Sequence, residues 1–289
     1  MSYGERLKLT RLKTRDVCHI SSRLEEYDQQ LLAGSGRTLL GIACHACGVD
    51  EIKIKHQMNA FTIQVVPITM GRGIISGFTQ AVLAILTFLG FDARITENPD
   101  ISGIAGSFES DSDAIMMADD HQFVGINLKN GFVTDNSEAT GKVFAAALDL
   151  MARGVRNRRV LVLGCGPVGE AAANALLSFG ARVTLHDIHI STALALKERI
   201  FSGQNIAVES DVDVALSHHE YVLEATPSAN TIPDGRISSD MIVAAPGVPL
   251  GISKNGCHIL GDRLIHDKLE LGVAAMAISL LGQEHGGVF

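Results

Sequence analysis

RVLVLGCGPVG, residues 159–169, is the stretch whose reading decides the fold. RVLVL is aliphatic and β-branched, as a buried strand requires, and Pro167 suits the first turn of a helix, where its missing N–H is not needed. Between them lies G-x-G-x-x-G in the strand-to-helix setting that makes it a dinucleotide fingerprint rather than a chance glycine cluster. Gly164 allows the tight turn, Gly166 lets a pyrophosphate approach the backbone, and Gly169 lets helix and strand pack closely. Cys165, Pro167 and Val168 complete the loop, and the helix N-terminus adds amides and the positive end of its dipole. Asp187 ends the next strand, RVTLHD (182–187), about 20 residues on, where a carboxylate accepts the ribose hydroxyls and repels a 2′-phosphate. The expectation is NAD rather than NADP.

The alternation continues outward from this unit. Helices are expected over 167–179 and 191–201, and strands at YVLEAT (221–226) and MIVAAP (241–246). Thr226-Pro227 and Pro246-Gly247 leave those two strand ends, where a nicotinamide would be met. Upstream, residues 14–33 and 39–47 read as helices, FTIQVVPI (61–68) as a strand, 70–73 as a turn and 74–90 as an apolar helix. The strand 92–97, a short helix near 101–110 and the strand 113–119 follow, with a connecting helix over 140–153. This is an α/β chain with an N-terminal helical and small α/β substrate domain (1–155). A Rossmann domain (156–266) and a C-terminal helix packing back on the first domain (267–289) complete it.

Asp119 and Asp120 stand where the apolar strand 114–118 ends. A strand's carboxyl end faces a crevice in such sheets, so Asp119 is the expected catalytic carboxylate and Asp120, on the opposite face, the turn residue. Asn127 and Lys129, in the turn that follows, are candidates for binding substrate.

With 24 basic and 32 acidic side chains, the net charge of −8 disfavours a nucleic-acid binder. No apolar run approaches a membrane span. The basic start has no apolar segment of a signal peptide, and the five scattered cysteines suit reduced thiols in the cytoplasm. Cys44-His-Ala-Cys47 lacks a second ligand pair at zinc-finger spacing, and His186/His189 and His218/His219 have no partners at useful spacing, so no metal is expected.

PITMGRGIISGF (67–78), MADD (117–120), NLKNG (127–131), ATG (139–141), LVLGCGPVG, EATPSANTIP (224–233) and APGVPLGIS (245–253) together resemble the pyrrolysine-biosynthesis dehydrogenases, the PylD family. The resemblance runs in one order over about residues 14–281. It implies a cytoplasmic NAD-dependent homodimer that oxidises the side-chain amine of 3-methylornithine joined by an amide to lysine. Ammonia is lost and the pyrroline ring of pyrrolysine closes. The family's functional aspartate maps onto Asp119, and a hydroxyl of the PITMG stretch is expected to bind substrate. Here Met70 stands where the family carries serine, which leaves Thr69 for that contact. The segment His266–Glu270 also departs from the family. Two other readings stay open: a shikimate-dehydrogenase-like oxidoreductase of another small substrate, and a non-catalytic NAD-sensing module.

Overall fold

The computed structural model describes residues 12–71, 74–200 and 205–282. The basic start up to residue 11, the second half of the 70–73 turn, the last residue of the 191–201 helix and the end from Gln283 lie outside them. Two sheets follow one another along the chain. The first has strands β1 (Thr62–Val65), β2 (Asp92–Ile95), β3 (Ala114–Ala118), β4 (Phe123–Asn127) and β5 (Val133–Asp135) in the order β2-β1-β3-β4-β5. β1, β2 and β3 run parallel, whereas β4 turns back against β3 with Ala118 opposite Phe123 and Ala114 opposite Asn127. FVGIN and VTD were not expected as strands. Their alternating burial is that of an antiparallel edge, which short polar-flanked segments do not advertise.

The second sheet contains β6 (Arg159–Leu163), β7 (Arg182–His186), β8 (Ile206–Val208), β9 (Tyr221–Glu224), β10 (Ile242–Ala244) and β11 (Leu264–Ile265). All pairs are parallel, in the order β11-β10-β9-β6-β7-β8. That is the doubly wound order, with its switch point between β6 and β9, and the second unit is a Rossmann domain. The short β8 and β11 fell outside the sequence expectations.

The helix Asn136–Met151 joins the units and belongs to the core of both. Phe144, Ala145, Ala146, Ala147 and Leu148 are all buried, and one apolar cluster runs from Leu24 through this helix to Leu185. Asp135 caps its N-terminus, accepting from the Ser137 amide at 2.8 Å and the Glu138 amide at 3.2 Å. Gly141 is where this helix crosses the helix Pro167–Ser178, because a Cβ there would lie 2.4 Å from the Val168 carbonyl and 2.6 Å from the Ala171 Cβ. Gly141→Ala is therefore expected to destabilise the protein by about 1–3 kcal/mol through overpacking. Urea unfolding checks this, and an unchanged midpoint would mean that the two helices can separate without loss.

The helix Glu270–Gly282 is apolar on every side and packs against the helices Leu39–Cys47, Phe78–Leu89 and Asn136–Met151 of the first half. Gly125 on β4 makes room for the Leu280 side chain, and the Asn127 Nδ2 donates to the Leu280 carbonyl at 3.1 Å. A second tie joins the helix Ile20–Ser35 to the segment after β11, where the Tyr27 hydroxyl donates to Asp267 at 2.7 Å. No helix among the described residues is long and apolar enough to cross a membrane.

Candidate active site

The carboxyl ends of β1 and β3 open into a cavity bounded by Ile68, Met70, Phe78 and Phe123 and by the start of the connecting helix. Three carboxylates, Asp119, Asp120 and Asp135, line it together with His121, and no lysine or arginine is among the described lining residues. Phe78 and Phe123 meet edge-to-face with centroids 5.2 Å apart, which gives the cavity a rigid apolar wall opposite its acidic rim.

Asp119 is exposed and closes the β3–β4 hairpin. Its Oδ1 accepts from the amides of His121 at 2.7 Å and Gln122 at 2.8 Å, and its own amide donates to the Gln122 carbonyl. The turn role expected of Asp120 thus belongs to Asp119. Its Oδ2 takes no hydrogen bond from a described residue. Asp120 is half-buried beside Gly71 and lines the same cavity.

Three sequence-derived substrate residues fall elsewhere. Thr69 is turned to Asp100, its amide donating to Oδ1 at 2.8 Å and its hydroxyl to Oδ2 at 2.5 Å. These bonds hold the Asp100 carboxyl below the usual carboxylate range. Asn127 is fully buried, and its Oδ1 accepts from the amides of Lys129 and Asn130, closing the turn after β4. Lys129 donates to the Asp111 carboxylate and carbonyl. The antiparallel register places Asn127 opposite Ala114, so Asn127 and Lys129 lie at the far end of the β3–β4 pair from Asp119. Closeness in sequence misled because β4 runs away from the cavity. Met70 does line it and is 79% exposed.

In the second unit, Gly164 has φ +91° and Gly166 is the N-cap of the helix Pro167–Ser178, with nothing within 4 Å of where its Cβ would be. A Cβ on Gly169 would lie 1.9 Å from the Gly164 carbonyl oxygen, so the loop closes only around glycine. Asp187 is tied to this loop, Oδ2 accepting from the Cys165 amide at 2.9 Å and Oδ1 from the His189 amide at 2.9 Å. A carboxylate has about four acceptor positions, so two remain for ribose hydroxyls. Burial, with the Asp187 charge adding to it, pushes the Cys165 thiol up to about 12, which leaves it inert.

The loops after β9 and β10 carry Thr226, Pro227, Pro246 and Gly247, and a buried glutamate that sequence reasoning passed over stands between them. Glu224, the last residue of β9, is 0% exposed. It accepts from the Thr226 amide at 2.8 Å, the Thr226 hydroxyl and the Gly251 amide at 3.2 Å. An acidic residue closing an otherwise apolar strand was the available signal.

The two sites adjoin. Asp135 and Ser137 line the acidic cavity, while Gly141, about one turn along the same helix, touches the helix that the glycine loop opens. Residues 16–134 match the model of the pyrrolysine biosynthesis protein PylD, N-terminal domain, and residues 136–249 that of the alanine dehydrogenase/PNT C-terminal domain. The pyrrolysine synthase of Methanosarcina acetivorans is 31% identical over 272 residues, covering 93% of this chain and 99% of its relative. The chain belongs to the pyrrolysine synthase family. The Methanosarcina barkeri member is likewise 31% identical over 277 residues, covering 95% of this chain and 99% of its own. Among solved structures, the quinate dehydrogenase of Corynebacterium glutamicum in complex with NAD aligns with a TM-score of 0.54 at 15% identity. It covers 77% of this chain and 94% of that one, and the likeness is one of fold.

Proposed function

We propose that this chain oxidises the side-chain amine of 3-methylornithyl-N6-lysine with NAD, releasing ammonia and allowing ring closure to pyrrolysine. The observation that carries this reading is the Asp119 carboxylate at the rim of an apolar cavity, its Oδ2 accepting from no described residue. A carboxylate at that rim favours a cation over an acid, and similarity to pyrrolysine synthases supports an amine as that cation.

The glycine loop fits a dinucleotide. Gly166 faces open space, the first helical turn presents its amides, and Asp187 has acceptor capacity beyond its two backbone donors. A nicotinamide ring, when bound, supplies the acceptor for the hydrogen and electron pair leaving the amine-bearing carbon. The protein's own part is to hold the substrate ammonium and to take its proton, because only the neutral amine lets that electron pair go. Oδ2 of Asp119 is placed for both tasks, while Oδ1 keeps the hairpin closed. Phe78 and Phe123 give the aliphatic chain an apolar wall and keep water from it. Loss of the hydrogen and its electron pair leaves an iminium carbon on the substrate. The substrate's own α-amine adds to it and expels ammonia, giving the cyclic imine, so ring closure needs no nucleophile from the protein.

NADH formation and ammonia release with the lysine–ornithine amide, measured beside shikimate-type acids and simple amines, test the reading. Turnover confined to an acid substrate would overturn it, and binding of NAD without turnover of any would favour a sensing module. The reading includes a homodimer in the cytoplasm, supported by the sequence resemblance and checked by light scattering and fractionation. Preference for NAD rests on Asp187. Asp187→Ser combined with Ile188→Arg, an 89% exposed neighbour, is expected to weaken NAD and strengthen NADP by about tenfold each. Equal use of NAD and NADP by the parent protein would remove Asp187 from that role.

A further inference from the structure

We propose that Glu224 is a positioning residue for the cofactor's reactive end: its buried carboxylate fastens the loop after β9 to the loop after β10, fixing the two walls of the nicotinamide side of the cleft. The inference rests on the cofactor reading above and adds a residue to it.

Geometry makes the case. Leu163 and Glu224 are register partners on β6 and β9, so the carboxylate stands at the sheet's switch point, one strand from the glycine loop. Three donors converge on it from the two loops. The Thr226 amide and hydroxyl come from the loop after β9, and the Gly251 amide from the loop after β10. The Thr226 hydroxyl is also within 2.8 Å of the Thr231 hydroxyl, which donates to the Ser228 carbonyl at 3.0 Å, so the fastening extends along the first loop. On the second loop the carboxylate leaves no room for side chains. A Cβ on Gly247 would lie 2.6 Å from Oε2, and one on Gly251 would lie 2.5 Å from Cδ.

The placement relative to the cofactor cradle is equally specific. A Cβ on Gly164 would lie 2.9 Å from the Ala225 carbonyl, so the residue after Glu224 abuts the fingerprint turn itself. Thr226-Pro227 and Pro246-Gly247 are thus held by one acid at the strand ends that flank the cradle. The groups turned towards that acid are Thr226, Gly247 and Gly251, and no charged side chain is among the influences on it. A residue needed only for folding would not have to be ionisable, since an apolar side chain fills such a site with less desolvation. A carboxyl group accepting three hydrogen bonds from two loops has a use when those loops must keep a fixed spacing.

The test compares NAD with ADP-ribose, which lacks the nicotinamide, in calorimetric titrations of the full chain and of Glu224→Gln. The amide keeps the volume but turns an N–H towards one of the three donors that the carboxylate accepts from. The expected result is NAD binding weakened by about tenfold or more with ADP-ribose affinity unchanged. Equal weakening of both ligands, or of neither, overturns the proposal. Failure of the parent chain to bind either ligand would instead overturn the cofactor reading on which it rests. Should Glu224→Gln not fold, amide hydrogen exchange of the parent decides. Slower exchange over 225–231 and 246–251 with NAD but not ADP-ribose supports the assignment, and identical protection by both ligands overturns it.

Discussion

Asp119→Asn is expected to lower turnover by about two to four orders of magnitude, the usual worth of a positioned acid–base group, while NAD affinity stays at the parental value. The structure makes this substitution cleaner than the sequence alone suggested. Oδ1 of Asp119 accepts the His121 and Gln122 amides, and the asparagine carbonyl oxygen can accept the same two bonds. The β3–β4 hairpin therefore survives, and what disappears is the charge and the proton-accepting Oδ2 at the cavity rim. Cofactor affinity is insulated because the glycine loop and Asp187 belong to the second sheet. Asp120→Asn is the comparison, since Asp120 lines the same cavity. NADH formation and NAD binding are measured separately for both variants. Near-parental turnover in Asp119→Asn, or a larger catalytic loss in Asp120→Asn, transfers the role to the second carboxylate.

The part of the site legible in sequence is the part whose geometry is local. G-x-G-x-x-G works through contacts within six residues, including the close approach of Gly169 to the Gly164 carbonyl, so spacing alone encodes it. Asp187 is reached across a single helix, and its distance along the chain is fixed by that unit. Residues whose partners come from another strand were read poorly. Asn127 and Lys129 follow Asp119 closely in sequence, yet the unanticipated strand β4 carries them to the other end of the β3–β4 pair. Thr69 finds Asp100, 31 residues away, because β2 and its helix return the chain to the end of β1. The one local sign of Glu224, an acid closing an apolar strand, did not tell that it would be the fully buried end of a central strand. A glutamate after an apolar run reads equally well as the exposed end of an edge strand, and only the order β10-β9-β6 decides between them.

The same burial gives Glu224 a signature in stability. Desolvation outweighs its three hydrogen bonds and pushes the carboxyl up to about 7. The folded chain then holds this proton more tightly than the unfolded chain, so the contribution is fully present below the ordinary glutamate range and is lost as pH rises through about 7. Each unit is worth about 1.4 kcal/mol, so the loss amounts to about 3 kcal/mol. Burial, with the Glu270 charge adding to it, pushes Asp267 in the same direction, so the parent's decline with pH contains both groups. Glu224→Gln removes one. Urea unfolding of the cofactor-free protein at pH 5 and pH 8.5 is expected to show the variant gaining about 3 kcal/mol on the parent between the two. An unchanged difference would mean that the carboxyl is not protonated in the fold. At the alkaline end the variant is thus expected to gain relative stability while binding NAD more weakly than the parent. The alkaline gain in stability shows that a weaker grip on NAD in the variant does not come from a weaker fold, so the lost affinity reads the positioning of the two loops.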